Sequence, residues 1–162
     1  METSESRIID RFHEAARRAG LEYFVIGGFA ASYWGTPRFT ADVDYVISDT
    51  QFELAKSVLS SLGYALQFVH PKGAFAHFIS LKQDEFRVDL MIVNEQTWVK
   101  LRAKGEHGDF GGKELYPVVA PIHLIAMKLH AASQADRTEF QKDLGDIVAI
   151  MLQQRITLED LD

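Results

Sequence analysis

The sequence predicts an α+β (α/β) domain: a small mixed β-sheet flanked by helices, with a helical C-terminal part. Three observations carry that reading. Apolar residues recur three and four apart near both ends of the chain, the spacing of a helix that buries one face. Between them lie segments that alternate apolar with polar side chains, the period of a half-buried strand. With 162 residues, 47% apolar and 25% charged, the chain has the composition of one globular domain with a sizeable core. The order, a helix, then strands mixed with helices, then two helices, favours a mixed sheet with helical cover over an all-helical bundle or a β-sandwich. No linker, repeat or low-complexity tract divides the sequence, so residues 1–162 read as a single domain, with an α/β core over 1–119 and a helical part over 120–162.

Ile8, Phe12, Ala15 and Ala19 place the first helix over about 5–19, with Ser4 or Ser6 able to cap it and Gly20 following its last residue. Tyr23–Ile26 is a short apolar strand that ends at Gly27-Gly28, and Phe29–Trp34 a short helix before the turn residues Gly35-Thr36-Pro37. Asp42–Ile47 alternates acid with apolar residues, as a strand does. Asp49 or Thr50 can cap a helix that buries Phe52, Ala55, Val58, Leu59 and Leu62 and stops at Gly63. Ala76–Leu81 and Phe86–Val93 flank four polar residues and read as a β-hairpin. Asn94 caps a helix through Arg102, Gly105–Lys113 is a loop, and Leu115–Val119 one more strand. Pro121 suits the first turn of a helix running to about Ser133. Leu144, Ile147, Val148 and Met151 mark the expected buried stripe of a last helix near 138–153.

Composition removes several function classes. The 17 Lys+Arg against 23 Asp+Glu give a net charge of −6, which argues against broad coating of a phosphate backbone but leaves room for one local phosphate site. There are no cysteines and no Gly-x-Ser-x-Gly, so thiol and serine-hydrolase chemistries lack a nucleophile. The six histidines show no H-x-x-x-H or H-E-x-x-H spacing, and the Gly-rich stretch 105–114 lacks the Walker pattern. No run of about 18 apolar residues is present, so no membrane span is expected. The first twenty residues lack the apolar core of a standard secretory signal, and the expected location is cytoplasmic.

Two segments carry chemistry: FVIGGFAASYWGTPRFTADVDYVI, residues 24–47, and FRVDLMIV, residues 86–93. On a strand, Asp42 and Asp44 point one way while Val43, Tyr45 and Ile47 point the other. In the second segment Phe86, Val88, Leu90 and Ile92 form the apolar face and leave Arg87, Asp89 and Met91 opposite. If the two strands are neighbours, Asp89 joins Asp42 and Asp44. Three clustered carboxylates repel unless one takes a proton or a divalent cation intervenes, and hard oxygen donors suit Mg²⁺ or Mn²⁺. Taken alone, D-x-D is more often a pair of solvated acids on an edge strand. The glycine pair adds weight, because Gly27-Gly28 between a strand and a helix lets backbone N–H groups meet an anion closely.

Together, the apolar strand, Gly-Gly, the short helix, thirteen residues to Asp42, Asp-Val-Asp and a later strand Asp resemble the minimal nucleotidyltransferases of the polymerase-β-like superfamily. Within it the chain is most similar to the stand-alone group that includes abortive-infection toxins of the AbiEii type. Arg38 with Thr40 before Asp42, and the later Lys128, Arg137, Lys142, Asp143 and Asp146, carry that likeness, which spans about 21–152. The resemblance implies transfer of a nucleoside monophosphate from an NTP such as ATP to an acceptor hydroxyl by two-metal catalysis. Asp42, Asp44 and Asp89 would be the catalytic and metal-binding residues, with Mg²⁺ or Mn²⁺ as cofactor. Gly27 and Gly28 would form the phosphate turn. Some members place Ser after the first Gly; here that position is Gly28, and Ser32, a helical turn on, is the substitute. Arg38 and Lys128 would meet the triphosphate. For Lys128, among Leu124, Ile125, Met127 and Leu129, the alternative is a lysine whose stem covers the core. Arg38 reads equally as solvated, and Arg137 and Lys142 as surface charges paired with Glu139 or Asp146.

The acceptor stays open between a protein, a tRNA and a small molecule. The implied setting is the toxin of a toxin–antitoxin or phage-defence system, with a cognate antitoxin or a second copy as partner. The competing readings are a catalytically silent antitoxin or regulatory module on the same fold, and an antibiotic-type small-molecule nucleotidyltransferase.

Overall fold

A computed structural model of the chain describes residues 7–82, 85–133 and 140–161. Helix α1 spans Ile8–Ala19, and its buried face, Ile8, Ile9, Phe12 and Ala16, keeps the spacing the sequence shows. Gly20 closes it in the left-handed conformation at φ 75°, where a Cβ would be strained. Arg7 occupies the N-cap; Ser4 and Ser6, the expected caps, lie outside the described residues. Strand β1 is Phe24–Ile26, α2 Gly27–Trp34 and β2 Asp42–Ser48. A short 3-10 turn, Asp49–Gln51, capped by Ser48 accepting from the Thr50 N–H, leads into α3, Phe52–Ser61, whose own N-cap is Gln51 rather than Asp49 or Thr50 and makes no side-chain cap bond. Then follow β3 Tyr64–Val69, β4 Phe75–Ser80, β5 Arg87–Val93, α4 Glu95–Lys104, β6 Glu106–Gly108, β7 Tyr116–Val118, α5 Pro121–Ala132 and α6 Phe140–Gln154. Asn94 caps α4 as expected, its side chain accepting from Thr97 N–H at 2.9 Å.

The strands form one mixed sheet in the order β3-β4-β5-β2-β1-β7-β6. β2 runs parallel to β5 and β1 parallel to β7; the other neighbours are antiparallel. The β4–β5 hairpin is therefore present, and two strands absent from the sequence reading, β3 and β6, are the sheet's edges. Neither edge carries a clear burial alternation: in β3 only Tyr64 is buried, and β6 is three residues inside a glycine-rich stretch.

One face of the sheet is closed by aromatic packing. Phe12 of α1 stacks on Tyr45 of β2 with ring centroids 4.0 Å apart, and Tyr23 meets both edge-on at 5.0 Å. Helix α3 packs beside α1, burying Ala55, Val58 and Leu59, with Phe52 and Leu62 partly covered. On the other face α2 lies against β2, and α5 and α6 pack on α2 and on each other. The expected stripe of α6 is corrected here. Ile147 is buried, but its buried companions are Asp143, Asp146 and Ile150, whereas Leu144 and Val148 face outward with Phe140 and Leu152. The helix is turned toward a buried cation, Lys128 on α5, because two carboxylates that pair with it are better enclosed than left to leave it alone.

Candidate active site

The parallel register of β2 and β5 sets Asp44 opposite Asp89 and Asp42 opposite Arg87. Period-two geometry then places all four on one face, while Val43, Tyr45, Val88 and Leu90 are buried on the other. The three aspartates expected to meet do share one face. Arg87 ties the outer two together: its Nη2 donates to Asp42 Oδ2 and Asp89 Oδ2, each at 3.2 Å, and its Nε to Asp89 Oδ1 at 3.1 Å. His77, opposite Asp89 on β4, donates from Nδ1 to Asp89 Oδ1 at 2.6 Å.

Asp44 carries the electrostatic strain. Desolvation is the main cause, and the neighbouring charges of Asp89 and then Asp42 add to it, pushing its carboxyl up to about 7 from 3.8; Lys128 and Arg87 pull the other way. Partial burial pulls Arg87 down, but Asp89 and Asp42 more than offset this and hold its guanidinium charged.

The glycine pair abuts this cluster. Gly27 takes φ 66°, and a Cβ there would lie 2.1 Å from Asp44 Oδ2, so only glycine lets the turn approach the carboxylate. The two glycines begin α2 itself rather than preceding it, which puts their N–H groups at a helix N-terminus. A Cβ on Gly28 would meet Thr40 Oγ1 at 2.6 Å and Arg38 Nη2 at 3.3 Å. Arg38 thus lies beside the turn, and it is not solvated: Asp146 of α6 accepts from its Nε and Nη2, both at 2.9 Å. Asp146 also meets Lys128 Nζ at 2.8 Å, with Asp143 at 3.6 Å from the same ammonium. Burial alone would push the Asp146 carboxyl up, but the hydrogen bonds from Arg38 and Lys128 outweigh it and hold it below the usual carboxylate range. Lys128 is therefore a buried, paired cation, not a stem covering the core with its head in water.

Ser32 stands one turn into α2, but its hydroxyl donates to the Arg38 carbonyl at 3.2 Å and accepts from the Arg38 N–H at 3.3 Å. It braces the Arg38 loop instead of facing an anion. Lys142 is exposed on α6, and Asp146, its expected partner, is engaged by Arg38 and Lys128. Arg137 and Glu139 lie outside the described residues. Sequence reasoning left Arg87 and His77 without a role. The signal for both was the hairpin: pairing β4 with β5 puts His77 across from Asp89, and a period of two puts Arg87 beside it.

Among the described residues, no three Asp, Glu, His or Cys side chains form a ready enclosure for an ion. The donor chemistry nevertheless fits a hard divalent cation. Three carboxylates share a face beside a turn free of Cβ atoms, one of them is raised toward neutrality by its burial and then by the other two, and a cationic side chain already spans two of them.

No family model matches the sequence, and no curated protein matches it. Solved structures do. The chain superposes on ANT(2")-Ia in complex with adenylyl-2"-tobramycin with a TM-score of 0.70 at 14% identity, over 95% of this chain and 90% of that one. The lincomycin-bound lincosamide antibiotic adenylyltransferase LnuA gives 0.57 at 10% identity over 85% and 92%. The Megavirus polyadenylate synthase gives 0.59 at 12% identity over 90% of this chain and 31% of that one. The chain has the nucleotidyltransferase fold. In this nucleotidyltransferase fold the strand order brings β5 alongside β2, and that adjacency, not nearness in sequence, assembles the acidic face.

Proposed function

We propose that the protein is a nucleotidyltransferase that moves a nucleoside monophosphate from an NTP to an acceptor hydroxyl. The observation that carries this reading is the Asp44–Asp89 pair, in register across two parallel strands, with Gly27 in van der Waals conflict with any side chain at its position. In the reaction a bond forms between the acceptor oxygen and the α-phosphorus, the bond from that phosphorus to the bridging oxygen breaks, pyrophosphate leaves, and the hydroxyl proton passes to Asp89 or to solvent. Asp42, Asp44 and Asp89 would hold Mg²⁺ or Mn²⁺, which would supply charge neutralisation at the reacting phosphoryl group. The α2 N-terminus at Gly27 and Gly28 donates N–H groups to the triphosphate, and Arg38 adds its guanidinium beside Gly28. Lys128 contributes positive potential from behind, held in place by Asp143 and Asp146. Catalysis of this kind is mainly positioning and charge stabilisation, which is what these rigidly braced groups offer.

The acceptor favoured by the likeness to antibiotic adenylyltransferases is a small hydroxylated molecule. The AbiEii-type resemblance favours a macromolecular acceptor in the cytoplasm, with the protein acting as the toxin of an antitoxin pair. Calorimetric titration with each NTP tests the shared core. Binding that requires Mg²⁺ or Mn²⁺ and disappears in EDTA and in Asp44→Asn supports it, and transfer of labelled NMP to hydroxylated small molecules against tRNA and protein then separates the acceptors. Full transfer by Asp42→Asn or Asp44→Asn would sink the mechanism.

A further inference from the structure

We propose that Arg87 is an internal counter-ion of the acidic face, which a divalent cation must displace from Asp42 and Asp89 before it can bind. The identity of that cation rests on the nucleotidyltransferase reading; the competition itself rests on Arg87. Its guanidinium engages Asp42 Oδ2 and both oxygens of Asp89, so both donor atoms of Asp89 and one of the two on Asp42 already face a cation. Oxygens turned toward the guanidinium are poorer donors for a second cation, and a guanidinium left at this distance would also repel an arriving dication.

The two arms of the bridge differ in strength. Arg87 and Asp42 are each 43% exposed at the side chain and share one contact, so water screens that arm and it opens readily. Asp89 is 15% exposed, takes two contacts from Arg87 and a third from His77, and holds its arm firmly. The guanidinium therefore leaves Asp42 first, while Asp89 keeps it close to the site. An anionic substrate arriving at the glycine turn offers Arg87 a replacement partner, so metal and triphosphate each favour the other's binding, as linkage requires.

The test is titration of the metal-free full chain with Mn²⁺ alone, read as free Mn²⁺ by electron paramagnetic resonance, for the wild type, Arg87→Gln and Arg87→Lys. Both variants are expected to bind Mn²⁺ at least tenfold tighter than the wild type. Arg87→Lys keeps the charge but lacks the planar fork that spans two carboxylates. Unchanged or weaker binding in both variants overturns the proposal. Tighter binding in Arg87→Gln alone also overturns it, because plain charge repulsion would then suffice. Adding Asp44→Asn to Arg87→Gln is expected to abolish the gain, and a gain that survives places the ion elsewhere and again overturns it. Absence of Mn²⁺ binding in all three proteins overturns the metal site itself, an outcome distinct from failure of the Arg87 bridge. Melting curves of each variant, expected within a few degrees of the wild type at this half-exposed position, establish that the folded chain is what binds.

Discussion

Replacing Asp44 with Asn changes the pH dependence of folding in a way that can be worked out from the site. The folded-state carboxyl titrates near 7 and its ordinary value is 3.8. An acid raised in this way contributes stability that is fully present below the unfolded value and lost as pH climbs through the folded one. Between pH 5 and pH 7 the unfolded chain has released the proton and the folded chain still holds it. Two pH units at about 1.36 kcal/mol each give a penalty of about 2.7 kcal/mol that the wild type incurs and Asp44→Asn does not. Above pH 7 the difference is constant. The assay is urea denaturation of both proteins in EDTA at pH 5, 6, 7 and 8, with thermal melts in parallel. The gap in favour of the variant is expected to widen by about 2.7 kcal/mol, equivalent to about 5–11 °C for a chain of this size. A gap that stays constant across the range, or narrows, would refute the claim that Asp44 is the desolvated, crowded member of the cluster.

Further outcomes follow from the same contacts. Mg²⁺ at a hundredfold excess over its dissociation constant is expected to raise wild-type stability by about 2.7 kcal/mol and to leave Asp44→Asn unmoved, as differential scanning fluorimetry would show. Gly27→Ala is expected to cost at least about 2 kcal/mol in urea denaturation and to abolish nucleotide binding by calorimetry, because a left-handed backbone and a contact 2.1 Å from Asp44 Oδ2 act together. Asp146→Asn leaves Lys128 and Arg38 short of their shared partner and is expected to cost about 3–5 kcal/mol at pH 7. Since the Asp146 carboxyl lies below its ordinary value, that stabilisation is present above 3.8 and lost as pH falls through the folded value, so the deficit of the variant should shrink in acid.

Strand and helix periodicity made the centre of this fold legible. The alternation in Asp42–Ile47 and Phe86–Val93 marked both strands, their buried faces and the side of its own strand that each acid takes, because a half-buried strand writes its orientation into every second residue. What periodicity does not encode is pairing across space. That β5 lies parallel to β2 with Asp44 level with Asp89 depends on the whole sheet order, as does the place of His77. The edges were illegible for another reason: β3, with Leu66, Phe68 and Val69 exposed, buries too little to show an alternation. Helix α6 misled because its inward face holds Asp143 and Asp146, which a hydrophobicity pattern assigns to solvent. The buried ammonium of Lys128, together with the Arg38 guanidinium on Asp146, accounts for them. The role of Ser32 was likewise invisible, since its partner is the backbone of Arg38 and not a side chain.

The grip of Asp146 on Arg38 bears on how far this chain can be cut. The loop holding Arg38 lies before β2, while Asp146 lies near the end of the chain, and one bidentate contact joins them. The helical part after Val119 is therefore no appendage that could be trimmed, swapped or grafted independently of the sheet. A shortened chain ending near Ala120 would keep every aspartate of the acidic face yet lose the clasp that orients the arginine over the glycine turn. A boundary drawn at Val119 from secondary structure alone would cut that contact, so α5 and α6 belong with the sheet wherever Arg38 is to sit beside the glycine turn.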